Sequence, residues 1–148
     1  MMSADGYLVP FRAMTEALGE AIGTAPKSLT PDAVASLLDR LVWTRIELWE
    51  EYSDLDLAKA IGLTSAALEG SILVVTEVSF ARGLGAFMLP ASQIERFVSA
   101  HCELFGESFF NGDVIVLHAS TARLWMFHHE GVFSVADLPS GGPSIGSR

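Results

Sequence analysis

Three features of the chain predict an α+β fold: helical periodicity through the first half, β-rich segments after Ser71, and one amphipathic helix set between those segments. The expected order is N-terminal helices, then an antiparallel sheet of about four to five strands with one inserted helix, ββαββ-like. The length of 148 residues suits one domain. Its expected extent is residues 1–138, with PSGGPSIGSR over 139–148 as a low-complexity, disordered tail.

The leader Met1–Val9 reads as loose or strand-like. Pro10 opens a short helix in which Phe11, Met14, Leu18 and Ile22 share one face, and Gly23 is placed to stop it. At Thr30-Pro31-Asp32 a second helix starts: Thr30 caps, Pro31 fits the first turn and Asp32 suits the positive end of the dipole. Val34, Leu37, Leu38, Leu41, Val42, Leu48, Trp49 and Tyr52 then form one apolar stripe, which predicts a helix of about six turns. Ser53-Asp54 begins a short helix ending at Gly62, and Thr64–Glu69 forms a further helical turn.

From Ser71 the pattern changes: Ile72, Leu73, Val74, Val75, Thr76 and Val78 are β-rich and continuous, as in a strand buried on both faces. A turn at Arg82–Gly85 returns the chain as a second strand, Ala86–Leu89, in a hairpin. Ser92 and Glu95 have capping-box spacing for the next helix, whose inward face is Ile94, Phe97, Val98, His101, Cys102 and Phe105 and whose end is Gly106. Asn111-Gly112-Asp113 is a turn. Val114–His118, Arg123–His129 and Val132–Val135 are the remaining strands, and helices are expected on one face of the sheet.

Nine basic residues against 18 acidic ones give a net charge of −9. That balance opposes nucleic-acid binding, which rests on cationic neutralisation of phosphate, and opposes anionic membrane surfaces. It favours solubility or a basic partner. No segment approaches the roughly 18 apolar residues of a membrane span, and the N-terminus lacks the basic start of a secretory signal. With one cysteine, Cys102, no internal disulfide can form. A reduced, cytoplasmic setting is expected. Half the residues are hydrophobic, and a homodimer is one way to bury the excess beyond the core.

Four patterns bear on chemistry. Leu57–Leu68 has the small-residue, turn-glycine and apolar spacing of a helix-turn-helix at Ala58, Gly62 and Leu68. Its second half, however, carries no Arg, Lys, Asn or Gln to read bases, so the alternatives are a degenerate, acidic transcription regulator or an ordinary packing turn. His128-His129-Glu130 suggests a metal cluster, but neighbouring strand residues point to opposite faces. His118 could approach His128 or His129 across the hairpin, with Asp113 adding an oxygen. A small enzyme or metal-binding protein with a histidine-lined site, and a polar strand end, are both open readings. Cys102 reads as a buried, inert thiol, since His101 lies about 100° away around the helix. No acyl-transfer, phosphate-loop or dinucleotide signature and no H-E-x-x-H zinc helix is present, so the leading expectation is no catalytic residue, metal ligand or cofactor, with the histidine-lined site as the alternative.

The fourth pattern is an acidic ridge. Glu47, Glu50, Glu51 and Asp54 recur at i, i+3, i+4 and i+7, which is one helical face if the helix continues, and Asp56 follows. Trp43 and Ile46 lie beside it. Acids with an aromatic anchor suit docking of a cationic partner, because charge steers the encounter and the aromatic supplies burial. A solvated face is the alternative.

The C-terminal half resembles the small immunity proteins of bacterial contact-dependent growth inhibition and related polymorphic toxin systems. The likeness lies in Gly85-Ala86-Phe87-Met88-Leu89-Pro90, the Ile94…Phe97 helix, Ser108–Val116 and Trp125–Gly131, about a third of the chain. The resemblance implies a cytoplasmic protein that binds one cognate toxin domain, often a nuclease, and blocks it, with no catalytic residue of its own. An acidic ridge would then occupy or flank the toxin's basic cleft. Partner-binding residues under this reading are Trp43, Glu47, Glu50, Glu51 and Asp54, then His128, His129 and Glu130.

Overall fold

The computed structural model describes residues 4–64 and 69–138. Seven antiparallel strands among these residues form one sheet: β1 (Leu8–Val9), β2 (Thr44–Arg45), β3 (Ser71–Val75), β4 (Ala86–Pro90), β5 (Val114–His118), β6 (Arg123–His128) and β7 (Val132–Asp137). Their spatial order is β1-β4-β3-β5-β6-β7-β2. Five α-helices join them: α1 (Phe11–Ile22), α2 (Pro31–Ala35), α3 (Asp54–Ala60), α4 (Glu77–Ala81) and α5 (Ile94–Phe105).

Strand register produces two cores. Val74 pairs with Phe87 and Val116, and Val116 pairs with Trp125. Because side chains alternate along a strand, these residues line one face with Ile72, Leu89 and Phe127, where Leu57 and Ile61 near α3 and Phe97 and Val98 of α5 cover them. The opposite face carries Leu73, Val75, Ile115, Leu117, Leu124 and Met126, covered by Met14 and Leu18 of α1 and Val34 of α2. The first core is an aromatic nest. Phe97 meets Phe87 and Phe109 with ring centroids 5.1 and 6.2 Å apart, and Phe110 meets Phe127 at 4.9 Å. Each such ring contributes roughly 1.5–3 kcal/mol by its burial.

The α+β class with an antiparallel sheet therefore holds. The sheet has seven strands rather than four to five, because two-residue strands are added at both edges. Nor do the N-terminal helices all precede it: β1 comes before α1, and β2 lies between α2 and α3, while two helices, α4 and α5, and not one, are inserted among the later strands. Helices cover both faces, not one, as the unbroken burial of β5 requires.

Local departures have local causes. Thr30 caps α2 through Ala33 N, as its position predicts, but the helix stops at Ala35. The expected six-turn helix is absent. Leu38 and Leu41 pack on one core, whereas Ile46 and Trp49 reach the other. The chain thus passes around the sheet edge, pairing Thr44 and Arg45 with β7 on the way, which a straight helix cannot do. Val78 belongs to α4, so β3 and β4 are joined by a helical turn and not a tight hairpin. Ser92 does not cap α5; a 3₁₀ turn, Ala91–Gln93, leads into it. Cys102 is exposed rather than buried, since Ile94, Phe97, Val98 and His101 fill the inward face. The helices ending at Gly23 and Gly106 stop where expected. Strand β6 ends one residue early, at His128, and β7 runs on to Asp137. Most of the predicted helical turn Thr64–Glu69, and the tail 139–148, lie outside the described residues.

Candidate functional site

Of the residues singled out from sequence, Trp43, His128, His129 and Glu130 gather around the turn between β6 and β7, where the stretch from Val42 to Asp54 crosses the sheet edge. Three contacts hold the crossing. Arg45 Nη1 donates to the Glu130 carbonyl at 3.1 Å, Ile46 N donates to the Gly131 carbonyl at 3.0 Å, and the Trp49 indole lies on Gly131. Trp49 also packs edge-on against Phe127, centroids 5.2 Å apart. Ile46 is buried and Trp49 half-buried, so these two anchor the stretch.

Between and beside the anchors the chain exposes apolar side chains: Leu48 between them at 69%, and Val42 at 73%, Trp43 at 36% and Tyr52 at 41% of their full surface outside them. Leu48 has φ +57°, in the left-handed region that costs a non-glycine residue about 1–2 kcal/mol. Glu47, Glu50 and Glu51 are exposed around it. The residues Trp49–Glu51 form a 3₁₀ turn, so the acids do not share one α-helical face as their spacing predicts. Asp54 departs further. Its carboxylate turns inward and accepts from Phe109 N at 2.6 Å and Phe110 N at 3.4 Å, tying α3 to the chain after α5.

Two depressions flank this crossing. A cleft of about 440 Å³ is lined by Trp49, Glu50, Tyr52, Asp54, Phe110 and Asn111 among others. A smaller one of about 220 Å³ is lined by Asp32, Trp43, His128, Glu130 and Val132. Of the residues chosen from sequence, Trp43, His128 and Glu130 therefore meet, Glu50 and Asp54 share the larger cleft, and Glu47 and Glu51 line neither.

His129 lies at the same turn. Its backbone N–H and its Nδ1–H both reach Asp113 Oδ1 at 2.9 Å. That hydrogen bond raises the His129 pKa above its usual 6.5. The His128 and His129 rings stack, centroids 4.2 Å apart and 28° between planes. The strand ends at His128 and the chain turns, so the two side chains do not point to opposite faces as an extended strand predicts. His128 Nδ1 accepts from Glu130 N at 3.2 Å. One nitrogen of each histidine and one Asp113 oxygen lie within 4.8 Å of one another, so these three residues are a set able to hold a cation.

His118 takes no part. Antiparallel register places it opposite Arg123, at the far end of β5, where it contacts Thr121 Oγ1 and the Glu69 carbonyl. His101 drew no functional reading from sequence. It is buried between Thr76 Oγ1 at 3.1 Å and the Glu107 carbonyl at 2.7 Å, and burial holds its pKa below 6.5. Its Nδ1–H donates to the carbonyl, leaving Nε2 to accept from threonine, which is the neutral form. In the helix-turn-helix-like stretch only α3 and its turn are described; residues 65–68 lie outside the described residues.

Among the described residues, no helix is long and apolar enough to cross a membrane. Comparison with known proteins finds no matching family model, no matching curated protein and no matching solved structure.

Proposed function

We propose that this chain is an inhibitory binding protein of the immunity type, which docks a cationic bacterial toxin domain through the Val42–Asp54 crossing and blocks its active cleft. The observation that carries this reading is Leu48. A leucine in a left-handed backbone conformation, 69% exposed, costs folding energy and returns little burial within the chain. A partner that covers it supplies the compensation. Exposed Trp43 and Tyr52 add aromatic contact area, and Glu47, Glu50 and Glu51 supply the field that attracts a basic surface. Asp54 serves this surface indirectly, by fixing the cleft wall, and His128 and Glu130 lie beside Trp43 at its other margin.

The test is co-expression with the product of the adjacent upstream gene, followed by purification and a growth-protection assay. The expected result is a stoichiometric complex and rescue of growth. Leu48→Asn should keep or raise the melting temperature, because asparagine tolerates the left-handed region, while weakening the complex at least about tenfold, a loss of about 1.4 kcal/mol. Glu50→Lys with Glu51→Lys should slow association and steepen its loss with salt. No complex and no rescue would overturn the reading. Full protection by both variants would remove this surface from it.

A further inference from the structure

From Asp113, His128 and His129 we infer a binding site for a borderline divalent transition ion of the zinc class, at the end of the β5–β6 hairpin. The register makes the site. Val114 pairs with Phe127, so Asp113 and His128 are the next residues at that end of the hairpin, and the turn brings His129 onto the same carboxylate. One donor atom from each residue lies within 4.8 Å of the others. His129 Nδ1 and Asp113 Oδ1 are 2.9 Å apart with a proton between them. Two ligands of a tetrahedral zinc ion sit about 3.3 Å apart, so an ion replaces that proton after a small opening. His128 joins by releasing the Glu130 N–H, which is exposed and free to turn to water. Two imidazoles and one carboxylate select zinc, nickel or copper over magnesium and calcium, which require oxygen donors. Three protein ligands leave the fourth position open, beside the small depression of Asp32, Trp43 and Glu130, whose two carboxylates add to the local negative potential.

This inference is independent of the docking proposal, because it is tested on the protein alone. Zinc chloride is titrated calorimetrically into the untagged full chain, with magnesium chloride as the comparison. The expected result is saturable binding of one zinc per chain, weakened at least tenfold by His129→Gln and by Asp113→Asn and unchanged by His118→Gln. Melting curves of the variants confirm that they fold, and a zinc-dependent shift of the His128 and His129 ring nitrogens in NMR spectra reads the ligands directly. Absence of saturable zinc binding overturns the inference. So does zinc binding that survives in the His129 and Asp113 variants, or magnesium binding as tight as zinc, which would reduce the site to a generally acidic surface.

Discussion

Replacing Gly131 by alanine removes the seat on which the 42–54 crossing rests. Gly131 has φ +89°, and holding a Cβ in the left-handed half of backbone space costs about 1–2 kcal/mol. The added Cβ would also run into the Trp49 indole. Displacing that half-buried ring from Phe127 forfeits part of an aromatic burial worth about 3 kcal/mol in full, so a further 1–2 kcal/mol or so is lost. The expected destabilisation is about 2–4 kcal/mol. Gly83 provides the comparison. Its φ is +62°, but a Cβ there meets nothing within 4 Å, so Gly83→Ala carries the backbone cost alone, about 1–2 kcal/mol.

Urea unfolding followed by circular dichroism measures both losses, and their difference isolates the Trp49 contact. Tryptophan fluorescence supplies a second reading: the native emission of Gly131→Ala should shift to the red as the indole gains water, and that of Gly83→Ala should not. Equal losses with unchanged emission would refute the seating of Trp49 on the turn, and with it the arrangement that presents Leu48 and Glu50.

Asp54→Ala should cost about 1–3 kcal/mol, because two half-buried backbone N–H groups lose their acceptor, whereas Glu50→Ala at an exposed position should stay within about 0.5 kcal/mol. Urea midpoints that match for the two variants would show that Asp54 is not structural. The buried His101 links stability to pH. Its folded-state pKa is depressed, so the unfolded chain binds the proton first; stability is full above pH 6.5 and falls as the pH drops below it towards the folded-state value. Unfolding midpoints measured from pH 8 to 5 should decline below 6.5 in the parent and less steeply in His101→Gln. Parallel profiles would assign the decline to other groups.

Much of the sheet was legible because its code is local. The runs in β3, β5 and β6 are apolar at consecutive positions, which signals burial on both faces. The same signal rules out helices on a single face, since an exposed second face would have shown polar residues at every other position. That step was available from the sequence and points to the two-sided arrangement observed. The two edge strands were not legible as such. Each has two residues, too few for a period, and each exists only because a longer strand offers it hydrogen bonds. The stripe from Val34 to Tyr52 misled for a related reason. Helical spacing places apolar residues at intervals that a chain passing from one core to the other also satisfies. The β-branched and aromatic run Val42-Trp43-Thr44 was the available sign against a helix.

The site divides along the same line. The pairing of Asp113 with the histidine end of β6 follows from hairpin register, and the turn then places it on His129. The same register excludes His118, because antiparallel strands put their C-terminal ends, His118 of β5 and His128 of β6, at opposite ends of the hairpin. What no local pattern contains is the meeting of Trp43 with His128 and Glu130, or of Arg45 with a carbonyl 85 positions along the chain. That contact depends on where β7 leaves its outer edge and on the absence of a side chain at Gly131. Composition could identify acids and an aromatic in one stretch, but the conformation of Leu48 decides how they are displayed. In the expected helix, Leu48 would have been one more core residue, and the acids a solvated ridge. In the observed turn the apolar side chain is outside and exposed acids flank it along the chain, an arrangement that suits a binding surface and not a folding core.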